Sequence, residues 1–430
     1  MKIGIIGGSG LDNPNLLEDY EEKEIETKYG FPSSKITCGK ISGVDVCILA
    51  RHGKKHEIPP SQVNYRANIA ALKMLGCEII LASSAAGSLK EEINPGDLVF
   101  PDQIIDFTKQ RKSSFYDKEE VFHLPFSEPF SEKLRKLLIN TAQELGFRHH
   151  PTATLIVIEG PRFSTRAESL YFKQLGDIIG MTAMPEACLA KEAGIEYATI
   201  AMSTDYDCWR ENTEPVTFEI IKKRMEENSE KVKKIFVEAI KKLGEDKLIR
   251  EDEDFIKNII RTIPNFPKAG IMFRDITTLL KNAEGFQKIL ELLEKRYKNI
   301  NIDVIAGIES RGFVLASALA SKLGKGLVLV RKPGKLPGEK VREEYDLEYG
   351  KDAVEIHKDA ISPGQKVLII DDLLATGGTM KATCNLIEKL GGEIVECAFV
   401  VELEDLGGRK KLEEKGHNVF SLVKFKETEA

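Results

Sequence analysis

Two adjacent carboxylates, Asp371 and Asp372, close an apolar run from Val367 to Ile370, and Ala375-Thr376-Gly377-Gly378-Thr379 follows within three residues. Residue types in that order describe a site for a phosphorylated sugar. Glycines let backbone N–H groups close on an anion, threonine hydroxyls add donors, and a helix opening there points the positive end of its dipole at the phosphate. The carboxylates cannot serve a phosphate, so they suit vicinal hydroxyls, a divalent cation, or both. A second set lies in the first half of the chain. Arg51-His52, Ser83-Ser84-Ala85-Ala86-Gly87, Glu159-Gly160-Pro161-Arg162-Phe163 and Met202-Ser203-Thr204-Asp205-Tyr206-Asp207 each follow an apolar run. With Ser9 of the turn Gly7-Gly8-Ser9-Gly10, the side chains of Arg51, His52 and Ser84 are donors for a phosphate dianion, Arg51 in bidentate fashion. Asp205 and Asp207 are two acceptors beside aromatic Tyr206 and Trp209, fit for a purine's protonated N7 or exocyclic amine. The turn at Gly7 is not a dinucleotide fingerprint, because the third glycine it would need is Asn13.

The elements that must hold these residues read as alternating strands and helices. Lys2 to Gly7, Val44 to Ala50, Ile79 to Ala82, Ala153 to Ile158 and Tyr197 to Ala201 are strand-like, and ligands gather at such strand ends in open α/β sheets. Ile221, Met225, Val232, Ile235, Phe236, Ala239 and Leu243 keep one helical face apolar, and Gly244 is placed to end that helix. The charged run after it reads as a solvated joint, giving domains 1–244 and 245–430. Beyond it a helix from Phe255 to Ile260, another along Phe286, Ile289, Leu290, Leu293 and Tyr297, and strands Asp303 to Ile308, Leu327 to Val330, Val367 to Ile370, Ile394 to Val401 and Val419 to Val423 predict a parallel α/β sheet.

With 430 residues, 42% of them apolar and 30% charged, the chain calls for two domains of ordinary soluble composition. A formal charge of −6 argues against non-specific nucleic-acid binding. Seven scattered cysteines without a CxxC pair read as reduced core residues, and MKIGIIGGSG reads as neither a signal peptide nor a membrane span. A cytoplasmic location is the expectation.

The first half resembles methylthioadenosine phosphorylase of the trimeric purine nucleoside phosphorylase group, through GIIGGSGLD, LARHGKKH, QVNYRANIAALK, GSLKEEINPGD, IEGPRFSTRAES, GMTAMPEACLAKEAGI and AMSTDYDCW. The resemblance implies a nucleoside-phosphorylase fold with phosphate at Ser9, Arg51, His52, Ser84, Ala85 and Thr182. It places Met181 against the ribose, Phe163 against the base, and Asp205 and Asp207 on adenine, with Asp205 catalytic. His123 falls where the family reaches into a neighbouring subunit's site. Relatives acting on 6-oxopurines replace the first acid of Thr-Asp-Tyr-Asp, so Asp205 implies a 6-aminopurine. Ser9 and Ser84 stand where threonine is usual, and Phe218 where a smaller apolar residue would face the 5′ group. Adenosine therefore stays open beside methylthioadenosine.

The second half resembles the type I phosphoribosyltransferases at Val367 to Met380. Asn265-Phe266-Pro267, Gly270 to Asp275, Glu309 to Phe313, Arg331 to Gly338 and Leu347 to Gly350 make it similar to adenine phosphoribosyltransferase. The resemblance implies adenine at Met272, Phe273 and Arg274, and phosphoribosyl pyrophosphate (PRPP) at Arg311, Lys332, Lys335, Asp371, Asp372 and Ala375 to Thr379. Glu348 manages the base's proton, on a lid from Pro337 to Tyr349. Mg²⁺ comes with the pyrophosphate, without a firm protein ligand. Together the halves imply a bifunctional purine salvage enzyme whose first product, adenine, is its second substrate. Small molecules are the expected partners, with no nucleic acid and no membrane, and trimeric and dimeric contacts in one chain imply a homo-oligomer, a hexamer if both persist. A PRPP-sensing regulator is the alternative from another class, disfavoured by the acidic charge.

Overall fold

The computed structural model describes residues 1–7, 16–117, 121–210, 218–266, 268–346 and 351–426. Its chain divides into two compact units, 1–247 and 248–430. In the first, strands β1 (Lys2–Gly7), β2 (Glu18–Lys23), β3 (Ile36–Ile41), β4 (Val44–Ala50), β5 (Ile79–Ser88), β6 (Leu98–Val99), β7 (Gln103–Asp106), β8 (His149–His150), β9 (Thr154–Val157), β10 (Ile178–Gly180) and β11 (Glu196–Asp205) form one mixed sheet. Its main path runs β2-β3-β4-β1-β5-β10-β9-β7, and β11 pairs with β5. Helices α1 (Tyr65–Met74), α2 (Glu132–Glu144), α3 (Arg166–Phe172), α4 (Ala183–Glu192) and α5 (Phe218–Ile259) complete the unit, α5 continuing into the second. The central strands β1 and β5 are buried along most of their length, as parallel strands covered on both faces must be.

Strands β5 and β11 pair in parallel from Glu196↔Ile79 to Asp205↔Gly87, with a register shift between Ser203 and Asp205. Each runs further than its apolar core indicates, so Ser83, Ser84 and Asp205 lie on strand rather than in loops. The irregularity falls at the C-terminal end of β11, and bulges commonly re-aim side chains.

Three expectations are corrected. Cys38 and Cys47 are disulfide-bonded, not reduced: they face each other across antiparallel β3 and β4, with Cα atoms 4.2 Å apart. Gly244 does not end a helix. α5 passes through it to Ile259, absorbing both the charged joint and the helix read at Phe255, because Lys, Glu, Leu and Arg are strong helix formers. Glycine serves there because a Cβ would lie 2.5 Å from Val44 Cγ2.

In the second unit, β14 (Val304–Ile308), β15 (Gly326–Val330), β18 (Lys366–Leu374), β19 (Glu393–Leu403) and β20 (Val419–Phe425) form the parallel sheet β15-β14-β18-β19-β20, as the alternating pattern predicts. Two antiparallel hairpins stand apart from it, β12 (Arg261–Pro264) with β13 (Met272–Asp275) and β16 (Lys340–Asp346) with β17 (Lys351–His357). The second is the third correction. Within the segment 337–349 read as a lid loop, 340–346 are strand, paired with β17 through the apolar cross-strand neighbours Val341↔Ile356 beside the buried Val354. Residues 347–350, with Glu348, lie outside the described residues. Helices α6 (Thr277–Lys281), α7 (Ala283–Tyr297), α8 (Arg311–Leu323), α9 (Gly378–Lys389) and α10 (Gly408–Glu413) cover the sheet. Asn282 caps α7 through the Gly285 N–H, and the helix buries Ile289, Leu290, Leu293 and Tyr297 on one face. No helix among the described residues is long and apolar enough to cross a membrane.

Candidate active sites

In the first unit a cavity of about 420 Å³ opens where β4, β5 and β11 end. Arg51, His52, Ser84, Ala85, Thr182, Phe163, Met181, Asp205 and Asp207 all line it, although the sequence separates them by up to 156 positions, from 51 to 207. Ser9 lies outside the described residues. His123 is exposed and does not line this cavity.

Arg51 is 1% exposed, and its Nε side is taken up by a carboxylate. Nε and Nη2 each donate to the Glu186 carboxylate at 2.7 Å, and Nη1 donates to Ser83 O at 2.8 Å. One N–H on each terminal nitrogen remains for a ligand beside these bonds. Tyr197 Oη also donates to Glu186, at 2.8 Å. Burial works against the guanidinium charge, but Glu186 outweighs it and holds Arg51 above its ordinary pKa. Removing one partner of such a pair costs about 3–5 kcal/mol, so Glu186 fixes where the Arg51 charge sits.

Met181 and Thr182 precede α4, and Arg111 holds that segment in place. Its guanidinium donates to Met181 O at 2.6 Å, Met184 O at 2.5 Å, Glu159 O at 2.6 Å and Glu159 Oε1 at 3.0 Å. It also lies over the Tyr65 ring, 5.4 Å from its centroid. Phe163 is presented by a loop pinned at α3, where Thr165 and Glu168 form a capping box and Arg162 pairs with Glu168. At the other end, Asp205 Oδ1 accepts from the Asp207 N–H and Oδ2 from the Thr204 hydroxyl, both at 2.7 Å. Burial pushes both Asp205 and Asp207 above the usual carboxylate range. Thr182 Oγ1 is buried and completes no hydrogen bond with the described residues. The cavity therefore has an end rich in N–H and O–H donors and an end with two carboxyls whose pKa values burial raises.

In the second unit a cavity of about 320 Å³ is lined by Arg311, Lys332, Asp371, Asp372 and Ala375 to Thr379. Gly377, at φ +74°, caps α9, so the loop enters the helix in a conformation that glycine adopts freely. Burial, then the neighbouring Asp372, push Asp371 well above the usual range, while Arg311 Nε lies 2.8 Å from Asp372 Oδ2. Lys332 Nζ pairs with Asp352 and bonds Tyr345 Oη at 2.7 Å. Met272 and Phe273 do not line this cavity; Phe273 lies under the Arg311 guanidinium at 5.9 Å and edge-on to Phe266 at 5.2 Å. Lys335 and the side chain of Arg274 are not part of the wall. Arg274 bonds Thr262 and covers the Phe425 ring at 4.3 Å.

Sequence reading missed Arg111, Glu186 and Gly408. Arg111 sits in the polar stretch Thr108 to Ser114, and Gly408 in a surface-like pair of glycines. Glu186 did carry a signal, a lone carboxylate amid Met184, Pro185, Ala187, Cys188 and Leu189.

Folds and cavities of these kinds define a nucleoside-phosphorylase unit joined to a phosphoribosyltransferase unit. The chain belongs to the phosphorylase superfamily, which matches residues 2–241, and a phosphoribosyl transferase domain matches 275–429. Among curated proteins, the S-methyl-5′-thioadenosine phosphorylase of Danio rerio is 52% identical over 246 residues, 56% of this chain and 88% of its own length. That of Hyperthermus butylicus is 54% identical over 243 residues, again 56% and 88%. Among solved structures, methylthioadenosine phosphorylase from Schistosoma mansoni in complex with adenine is 41% identical with a TM-score of 0.55, covering 56% of this chain and 92% of that one.

Proposed function

We propose that the chain is a bifunctional purine salvage enzyme that cleaves 5′-methylthioadenosine with phosphate and converts the released adenine to AMP with PRPP. The observation that carries the first half is one cavity joining Arg51, His52, Ser84 and Thr182 at one end to Asp205 and Asp207 at the other. Phosphate at the donor end attacks C1′ as the N-glycosidic bond breaks. Asp205, whose pKa burial raises, hydrogen-bonds the protonated N7 and so relieves the charge on the departing base. Asp207 accepts from the exocyclic amine, which favours a 6-aminopurine. Adenosine is the competing substrate for this cavity, and side-by-side kcat/KM values decide between the two.

In the second unit the loop Ala375 to Thr379 and the start of α9 hold the 5′-phosphate, and Asp371 and Asp372 hold the ribose hydroxyls. Phe273 lies against adenine, and Arg311 and Lys332 meet the pyrophosphate, Lys332 leaving Asp352 to do so. Among the described residues no cluster of three or more His, Cys, Asp or Glu side chains could hold a metal. Mg²⁺ would come with PRPP and would supply charge neutralisation of the pyrophosphate. Glu348 exchanges the base's proton. The enzyme works in the cytoplasm as a homo-oligomer, and analytical ultracentrifugation tests the latter: a hexamer if trimeric and dimeric contacts both form, a monomer if neither does. Product analysis with and without PRPP tests the two reactions: adenine without it, AMP with it.

A further inference from the structure

We propose that the donor end of the first cavity reads the proton on its oxyanion: His52 accepts a hydrogen bond from the O–H of hydrogenphosphate and thereby selects phosphate over sulfate. This rests on the phosphate reading of that cavity given above. His52 is 7% exposed and its Nδ1 lies 2.9 Å from Ile58 O. A carbonyl oxygen only accepts, so Nδ1 carries the ring's hydrogen in this contact. The backbone fixes the same geometry, since the Ile58 N–H donates to His52 O at 3.0 Å. Burial, then the Arg51 charge alongside, lower the imidazole pKa to about 4, so the ring is neutral at ordinary pH. Nε2 is then a lone pair in the cavity wall, and no described residue donates to it. His52 is thus proposed as an acceptor here, in place of the donor role expected from the sequence.

The rest of that end is donor-rich. Arg51 offers its remaining N–H groups, and Ser84 and Thr182 offer hydroxyls. A tetrahedral dianion without a proton satisfies those donors but sets an oxygen lone pair against Nε2. Phosphate and arsenate at neutral pH always carry at least one O–H; sulfate and selenate carry none. A buried acceptor left facing an acceptor makes sulfate roughly ten- to hundred-fold weaker than phosphate.

The test is calorimetric titration of the full chain with phosphate, arsenate, sulfate and selenate near neutral pH at fixed ionic strength. Phosphate and arsenate bind alike, and sulfate and selenate at least about ten-fold more weakly. In His52→Gln, whose amide can present a donor, the gap narrows to within about three-fold. In Ser84→Ala all four anions weaken and the gap persists. Sulfate binding as tightly as phosphate to the unaltered chain overturns the inference, as does an unchanged gap in a folded His52→Gln. The unaltered chain decides the matter by itself where a variant does not fold. If none of the four anions binds, the phosphate reading falls, and this inference with it.

Discussion

Replacing Gly408 by alanine should disable phosphoribosyl transfer and spare phosphorolysis. A Cβ built on Gly408 would lie 2.2 Å from Ala375 O, 2.8 Å from Leu374 Cδ1 and 3.0 Å from Gly377 N. Gly408 is not in the left-handed region, so alanine is compatible with its own backbone and the collision alone acts. Two of the three contacts are backbone atoms of the loop that would hold the 5′-phosphate, and no side chain can rotate away to relieve them. Restoring an ordinary contact requires a shift of roughly 1 Å, a misplacement that costs on the order of 100-fold in rate, while overpacking of this kind costs about 1–3 kcal/mol of stability. The assay is AMP formation from adenine and PRPP, with methylthioadenosine phosphorolysis by the same preparation as an internal control. AMP formation should fall about 100-fold, with phosphorolysis within about two-fold of the unaltered chain. A folded variant that forms AMP within about three-fold of normal would refute the placing of the phosphate at this loop.

Three further outcomes follow from the same geometry. Arg111→Met strips donors from Met181 O, Met184 O and Glu159, so chemical denaturation should show a loss of roughly 2–4 kcal/mol together with a raised KM for phosphate. Asp205→Asn should lower kcat/KM for methylthioadenosine by about 100-fold and raise relative activity on a 6-oxopurine nucleoside, because an amide can donate to O6 but carries no charge to hold a protonated N7; an unchanged preference in steady-state assays would count against the adenine placement. Arg261 pairs with Asp275 and, with Thr277, holds its carboxyl at about 2. The folded pKa lies below the ordinary value of 3.8, so the stabilisation is complete above that value and is lost as pH falls toward about 2. Arg261→Gln should therefore reduce the stability of the second unit at neutral pH and move its acid unfolding midpoint upward, as read by circular dichroism against pH.

What was legible in the sequence was local. The run Val367 to Ile370, its two acids and the glycine loop are contiguous, and they fold as contiguous pieces of β18, loop and α9. Strand ends in the first half were legible for the same reason, since each apolar run stops where its chemistry begins. The missing partners are distant in sequence. Arg51 and Glu186 stand 135 positions apart, and nothing near either residue announces the other. Arg111 reads as a surface cation because its acceptors are mostly backbone carbonyls, which every residue carries. The Cys38–Cys47 bond did leave a trace. Ser42 and Gly43 both have positive φ and form a two-residue turn between β3 and β4, so residues equally far on either side of it must face each other. The β16 and β17 hairpin was hidden by charge, because its exposed positions carry Arg342, Glu344 and Lys340 while the few apolar ones are widely spaced.

The central claim is that two sites on one chain share adenine. It is tested most directly by incubating the purified chain with methylthioadenosine carrying a labelled adenine ring, phosphate, PRPP and Mg²⁺, and following the label. The account predicts labelled AMP in the full mixture and labelled adenine, without AMP, when PRPP is left out. Labelled adenine accumulating in the full mixture, with no AMP formed, would contradict it.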